Sequence, residues 1–342
     1  MKILADATLP DLVAAFPEPF KLSLYHNAEE LQQALPEQDI LLCRANLAVN
    51  ADLLQNTRLK YVATASSGTD HLDKAELQAR RIEIIDAKGC NASAVADYIE
   101  ATLAYLDEQQ LIKGKRAGII GLGKVGTEVH KRLQAADFQT VTYDPVKALK
   151  EKEFTSADLS QLFTCDLLCI HAELHHSSPF PSWHLINADF LNQLKPNTVI
   201  INAARGGIID EQALLQTPTP LIYCTDVYLH EPNISTDIIQ KATLCTPHIA
   251  GHSLEAKHAA IAIVSNKLHH ILDINPPLLN KPRYQGNALL QSLHRREEKI
   301  LAIYDPSKET SELKTASDKK EAFLRLRKQH HFRHDFSLYF QE

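Results

Sequence analysis

Short apolar runs alternate with amphipathic stretches along the first 90 residues of the chain. The runs at 40–43, 61–65 and 82–85 have the length and composition of buried strands. Between them, apolar residues recur with helical spacing near 28–35 and 71–80. Strands that alternate with helices are typical of a parallel sheet, so the pattern predicts a parallel α/β domain here.

A second α/β region follows a long amphipathic stretch. The periodicity predicts a helix from Asn91 to about Gln110, and strands at 116–120, 140–143, 167–171, 198–203 and 222–226. Later, 253–273 has the pattern of one long helix, and the polar segment 305–320 predicts a loop. The chain is therefore expected to be an α/β protein with two doubly wound parallel-sheet domains of Rossmann or flavodoxin-like type.

A glycine loop joins the predicted strand 116–120 to a helix. Its glycines have the spacing of a dinucleotide-binding loop, and Asp144 follows about 20 residues later, at the end of the next strand. The helix start would bind the pyrophosphate, and the acid would bind the adenosine ribose and favour NAD over NADP, with Lys147 close by. The residues expected to contact NAD are Gly121, Gly123, Lys124, Val125, Gly126 and Asp144.

Arg205, Glu231 and His248 lie in three short segments further along the chain. An arginine can hold a substrate carboxylate with two parallel hydrogen bonds. A histidine can exchange a hydroxyl proton near neutral pH, and a nearby carboxylate can orient its ring and favour the imidazolium. Together these residue types predict hydride chemistry at a 2-hydroxy acid.

Composition and charge narrow the function classes. The 342 residues carry a net charge of −6, and no apolar stretch reaches 18 residues, so we expect neither nucleic-acid nor membrane binding. The start of the chain resembles a first strand, which predicts a cytoplasmic protein. Six scattered cysteines are expected to be reduced and inert, and the 17 histidines form no recognisable metal site.

The glycine loop and the three catalytic segments resemble those of the D-isomer-specific 2-hydroxyacid dehydrogenases. Segments 64–73, 88–92 and 248–255 are similar to a branch of that family that oxidises a phosphorylated hydroxy acid, as is the C-terminal segment 323–328. The resemblance implies a discontinuous substrate domain (1–92 and 253–276), an NAD domain (93–252), an active-site cleft between them and a small α+β dimerisation extension (277–342).

The resemblance also assigns further site residues. In the catalytic segments, Ala203, Ala204, Asp226 and Gly251 are expected to contact the cofactor. The expected substrate contacts are Arg44, Ala45, Ser66, Ser67, Gly68 and His252. The chain departs from the branch's pattern in three places. That pattern has a hydroxyl residue where this chain has Ala45, a tyrosine where it has His252, and His-Thr-Pro where it has His171-Ala172-Glu173.

The C-terminal segment predicts a homodimer. It contains an apolar set that we expect a second subunit to cover: Leu289, Leu290, Leu293, Ile300, Leu301 and Ile303. Residues 281–342 also carry 13 Lys and Arg against 9 Asp and Glu, so Arg325, Arg327 or Arg333 could approach an anionic substrate.

Two alternative functions stay open at this point. One is oxidation of a different D-2-hydroxy acid, such as phosphoglycerate. The other is a non-catalytic protein that senses NAD(H) on the same fold, because fold alone does not prove catalysis.

Overall fold

The computed structural model describes residues 1–284, 286, 288–331 and 333–340, with only the backbone at 288 and 289. These residues divide into two compact units. The first comprises Met1–Asn91 and Ser253–Tyr284, and the second comprises Ala92–His252 and Gln285–Glu342.

A parallel sheet forms the centre of the first unit. Its strands are β1 (Lys2–Asp6), β2 (Lys21–Tyr25), β3 (Ile40–Cys43), β4 (Tyr61–Thr64) and β5 (Glu83–Ile85). The order is β2-β1-β3-β4-β5, and every pair is parallel. Successive side chains point to opposite faces, so Ile3 and Leu4 lie in different apolar clusters, and both faces are covered.

The second unit has a parallel sheet of six strands. They are β6 (Arg116–Ile120), β7 (Gln139–Tyr143), β8 (Leu167–Ile170), β9 (Val199–Asn202), β10 (Ile222–Thr225) and β11 (Leu244–Cys245). The order is β11-β10-β9-β8-β6-β7, so the direction of winding reverses between β6 and β8. Ligands of open α/β sheets bind beyond the carboxyl ends of the strands at such a reversal, and the glycine loop follows β6 there.

Helices connect the strands and cover both sheets. In chain order they are α1 (Leu12–Ala15), α2 (Ala28–Ala34), α3 (Lys74–Ala79), α4 (Ala92–Glu108), α5 (Lys124–Ala135), α6 (Pro145–Lys150), α7 (Leu159–Leu162), α8 (Ala188–Gln193), α9 (Glu211–Gln216), α10 (Thr236–Lys241), α11 (Leu254–Ile271), α12 (Arg296–Ile303), α13 (Ser307–Thr315) and α14 (Lys319–Gln329). Short 3-10 helices span Leu35–Glu37, Ala288–Ser292 and Phe336–Leu338. The predicted two-sheet α/β fold is confirmed, and the predicted strands match within one residue at each end.

The C-terminal segment differs from the prediction in two ways. Its regular elements among the described residues are helices, whereas we expected a mixed α+β extension. The predicted loop 305–320 is wrong, because α13 forms there. One side of this polar helix is buried: Thr310 exchanges hydrogen bonds with the Cys245 backbone, and Leu313 is fully buried.

The apolar residues of this segment are largely covered by the chain itself. Leu290 and Ile300 are buried, and Leu301 and Ile303 pack against the cluster that contains Ile300. Leu293 is half-buried, and the side chain of Leu289 lies outside the described residues. The premise that a second subunit must cover this set is therefore wrong for its buried members.

None of the helices in the described part of the chain is both long and apolar enough to cross a membrane. Five of the six cysteines are buried, Cys90 is half-buried, and all six are free thiols in this structure.

Candidate active site

An imidazole–carboxylate pair lies beyond the carboxyl ends of β10 and β11. His248 donates from Nδ1 to Glu231 Oε2 at 2.6 Å, and the other carboxylate oxygen accepts from the Tyr228 amide at 2.9 Å. Burial alone would raise the pKa of the Glu231 carboxyl, but His248, the Tyr228 amide and Arg327 outweigh burial and lower it. Glu231 is therefore an anion that orients the ring and leaves Nε2 as the outward nitrogen.

The loop that carries His248 is held by a buried carboxylate. Asp226 Oδ1 accepts from the Thr246 hydroxyl at 2.7 Å and from the Ile249 amide at 2.8 Å, and Oδ2 accepts from the Ala250 amide at 2.9 Å. His248 itself has a left-handed backbone with φ of 57°. Such a conformation persists only where its surroundings impose it, and the three bonds to Asp226 do so.

The burial of Asp226 has an electrostatic consequence. Burial raises the pKa of this carboxyl, and His248, the two amides and the Thr246 hydroxyl oppose that rise. The observed hydrogen-bond donors to the Asp226 carboxylate all belong to the His248 loop, so this carboxylate braces the loop, that is, it holds the loop in place. The predicted cofactor contact of Asp226 stays a prediction.

Arg205 lies in the loop after β9. The Asn202 side chain holds this loop, since it donates to the Arg205 carbonyl at 3.0 Å and accepts from the Ala204 amide at 3.1 Å. Gly206 permits a close approach, because a Cβ there would lie 1.9 Å from the Tyr228 carbonyl oxygen. The loops that carry Arg205 and Glu231 are therefore packed backbone to backbone.

The glycine loop has the shape of a phosphate cradle. Gly121 has φ of 89°, and a Cβ at Gly126 would lie 2.0 Å from the Gly121 carbonyl oxygen, so turn and helix packing both require glycine. At Gly123, by contrast, a Cβ would meet no protein atom within 4 Å. The second glycine leaves space next to the N-terminus of α5, where a pyrophosphate fits.

Asp144 caps the helix beside this loop. Its carboxylate accepts from the Leu122 amide at 2.8 Å and from the Lys147 amide at 2.9 Å. The ammonium of Lys147 donates to the Leu122 carbonyl at 3.1 Å and pairs with Glu151 at 3.6 Å. These contacts hold the Asp144 carboxylate just after β7, with Lys147 beside it.

All the predicted substrate contacts except His252 belong to the first unit. Arg44 pairs with Asp6 through Nε at 2.7 Å, and its side chain is 43% exposed. Burial opposes ionisation of Asp6, but hydrogen bonds from Thr8 and Arg44 lower its pKa. Ala45 follows Arg44, and Ser66, Ser67 and Gly68 follow β4, where Ser67 Oγ accepts from the Gly89 amide at 3.1 Å.

The remaining predicted positions are close to Arg205 or His248 in sequence. Ala203 and Ala204 lead into Arg205, and Gly251 and His252 end the His248 loop. Burial, followed by the charges of Arg327, His330, His248 and Arg333, lowers the pKa of His252 well below 6.5. His252 is therefore neutral near neutral pH.

Sequence reasoning missed several residues that support the pair. Asn202 and Thr246 are the first residues of two of the catalytic segments, but the sequence predicted no role for either. Arg327 and Arg333 were singled out only by the basic charge of the tail. Arg327 Nη1 lies 3.9 Å from Glu231 Oε2, and Arg333 donates to the His252 carbonyl at 2.9 Å, whereas Arg325 pairs with Glu312.

Comparison with known proteins agrees with this geometry. Residues 97–250 match the model of the D-isomer specific 2-hydroxyacid dehydrogenase, NAD binding domain. Erythronate-4-phosphate dehydrogenase of Legionella pneumophila is 58% identical, over 99% of this chain and 97% of that protein. The chain belongs to the erythronate-4-phosphate dehydrogenase family. The resemblance to the D-isomer-specific 2-hydroxyacid dehydrogenases is thereby confirmed.

More distant members of the erythronate-4-phosphate dehydrogenase family match over the same length. The protein of that name from Coxiella burnetii is 35% identical over 98% of this chain and 94% of its own. Among solved structures, NAD-dependent formate dehydrogenase from Staphylococcus aureus in complex with NAD superposes with a TM-score of 0.62. It is 21% identical and covers 83% of this chain and 98% of its own, so this likeness shows the fold alone.

Proposed function

We propose that this protein oxidises 4-phospho-D-erythronate with NAD to 3-hydroxy-2-oxo-4-phosphobutanoate, on the route to pyridoxal phosphate. The observation that carries the proposal is the 2.6 Å contact between His248 and Glu231, in a chain 58% identical to a protein named for this reaction. The contact supplies a base oriented for the substrate hydroxyl, which a binding protein would not need.

Three side chains divide the reaction between them. The C2–H bond breaks and its hydrogen leaves as hydride, while His248 Nε2 takes the hydroxyl proton, so the products are the 2-oxo acid, NADH and one proton. Glu231 stabilises the imidazolium that forms. Arg205 binds the carboxylate and the oxygen that becomes a carbonyl. NAD supplies the ring carbon that accepts the hydride.

The chain's own residues would hold the cofactor. The open position at Gly123 and the N-terminus of α5 accept the pyrophosphate, with Gly121, Lys124, Val125 and Gly126 in the same loop. Asp144 accepts the ribose hydroxyls. We place Ala203, Ala204, Asp226 and Gly251 along the remainder of the cofactor.

Asp144 should set the preference for NAD. In Asp144→Ala we expect kcat/KM with NAD to fall about tenfold and the value with NADP to fall less, because a 2′-phosphate no longer meets an anion. Steady-state kinetics with both cofactors measures this. Equal efficiency of NAD and NADP in the parent protein would show that Lys147 overrides the acid.

The substrate contacts remain proposals. We assign Arg44 to the phosphate or carboxylate, and the backbone amides around Ser66, Ser67 and Gly68 to the carboxylate. Ala45 and His252 would line the substrate side, and both depart from the pattern of the branch. We keep the domain division proposed from the sequence, with residues 1–92 and 253–276 as the substrate domain.

A substrate panel tests the proposal and separates it from its rivals. Phosphorylated and plain 2-hydroxy acids are assayed with NAD, both with and without 2-oxo acids as alternative electron acceptors. The proposal predicts the highest kcat/KM for 4-phospho-D-erythronate. A preference for phosphoglycerate or a plain acid would favour another dehydrogenase of the family, and NADH binding without any turnover would favour a sensor.

We also propose that the protein is a cytoplasmic homodimer, with 281–342 in the interface. A two-fold dimer is the commonest closed assembly, and α14 exposes Leu324. Light scattering of the full chain should give about twice its mass of 38.3 kDa. A mass that stays at one chain across micromolar concentrations would contradict the dimer.

A further inference from the structure

The C-terminal helix α14 packs against the loop that carries Glu231. Ala322, Phe323 and Leu326 form its buried face, and the Phe323 ring meets the Tyr228 ring edge-on at 6.0 Å between centroids. Arg327 lies four residues after Phe323, and residues i and i+4 of a helix share a face. The packing therefore directs Arg327 toward the residues that follow Tyr228.

Arg327 reaches the carboxylate of the catalytic pair. Its Nη1 lies 3.9 Å from Glu231 Oε2, the same oxygen that accepts from His248. This separation is too long for a hydrogen bond, so the guanidinium acts on Glu231 through charge and does not compete for the bond from His248. The side chain of Arg327 is 34% exposed, so solvent screens this charge in part.

Arg333, in the same C-terminal segment, contacts the loop that carries His248. It is buried and donates to the His252 carbonyl at 2.9 Å and to the Ala94 carbonyl at 2.7 Å, with a longer contact to the Ala250 carbonyl at 3.4 Å. The loop of His248 and the start of α4 are thereby clamped together. The segment after residue 285 thus contacts both loops of the pair.

From this arrangement we propose that Arg327 is a positioning residue for the proposed reaction, acting through the Glu231–His248 pair. Its cation lies beside the charge of Glu231 and offsets part of the stabilisation that Glu231 gives to the imidazolium. This inference rests on the proposed function, because it requires His248 to exchange a proton with substrate.

Several other ionisable groups act on the pair. Asp226 accepts hydrogen bonds from the His248 loop. Glu211, which accepts from the Leu229 amide, lies near enough to Glu231 for the charge of Glu231 to contribute to its raised pKa, after the effect of burial. Besides Arg327 and His248, the basic groups near His252 are His330 and Arg333. Arg327 differs from His330 and Arg333 in its contact with the Glu231 carboxylate itself, at 3.9 Å.

Arg327→Gln should move the pH–rate profile to higher pH. Removing a cation favours the protonated His248 ring, whereas oxidation requires the neutral ring. The acid limb of the kcat/KM profile should therefore move to higher pH by about half to one unit. Arg327→Lys keeps the charge and should restore the parent profile. The matched control is Arg325→Gln, which removes an equal charge from another face of α14, where it pairs with Glu312.

Two further measurements separate this role from others. NMR titration of the His248 ring, identified by its absence in His248→Gln, should show the same upward movement in Arg327→Gln without any need for turnover. The change in kcat/KM should also be equal for 4-phospho-D-erythronate and for plain D-erythronate. A loss confined to the phosphorylated acid would show that Arg327 binds phosphate instead, and would overturn the proposal.

The remaining outcomes are equally decisive. If the parent turns over substrate and the Arg327→Gln profile and His248 titration both superimpose on the parent's, the inference is wrong and the proposed function stands. If the parent turns over no 2-hydroxy acid, the proposed function fails and the inference fails with it.

Discussion

His248→Ala is expected to lose about 10²–10⁴-fold in kcat while it keeps its affinity for NADH, because general-base catalysis typically contributes that much. The His248 side chain is 32% exposed, and its Nδ1 is bonded to Glu231. When the imidazole is removed, water can therefore hydrate the Glu231 carboxylate in its place. The backbone of the loop remains bonded to Asp226. Stopped-flow or steady-state rates, together with NADH titration, measure both quantities.

A matched histidine provides the control for this prediction. His258 forms a hydrogen bond with Asp11 in the first unit, so His258→Ala also breaks a histidine–carboxylate pair. We expect its kcat to stay within about twofold of the parent, since His258 has no part in the proposed reaction and partly exposed pairs contribute little to stability. An unchanged kcat in His248→Ala would remove that residue from the mechanism.

Glu231→Gln is expected to move the acid limb of the pH–rate profile to lower pH by about one to two units. It is also expected to decrease kcat. The variant lacks the anion that stabilises the protonated ring, so the neutral base persists to lower pH. The Glu231 pKa lies below its usual value, so the parent carries this anion throughout the working range. Rates measured from acid to neutral pH test the direction.

The control for Glu231 is Asp11→Asn, which neutralises the partner of His258 and should leave the profile in place. A profile that did not move in Glu231→Gln would make Glu231 a purely structural residue. The opposite directions expected for Glu231→Gln and Arg327→Gln are a joint test, since general loss of structure would not move the two profiles apart.

The sequence predicted the parallel sheets well because each strand is a compact apolar run bounded by helical patterns. Periodicity also located α4 and α11, which the structure places at Ala92–Glu108 and Leu254–Ile271. The pairing of His248 with Glu231 could be anticipated from residue types and order, because both follow strands whose carboxyl ends lie on the same side of a parallel sheet.

What the sequence could not predict depends on contacts between distant parts of the chain. Segment 305–320 is polar enough to predict a loop, yet α13 forms because Thr310 and Leu313 fit against β11 and its surroundings. The brace at Asp226 also had no local signal, since its partners lie about 20 residues later. The choice of Arg327 over Arg325 required the orientation of α14.

We propose that this protein transfers hydride from C2 of a phosphorylated 2-hydroxy acid to NAD. The most direct measurement is a single turnover with the protein in excess over 4-phospho-D-erythronate carrying deuterium at C2, which removes any dependence on the physiological electron acceptor. We predict NADH that contains the deuterium, together with one equivalent of the 2-oxo acid. Unchanged substrate with NAD bound, or NADH without deuterium, would contradict the account.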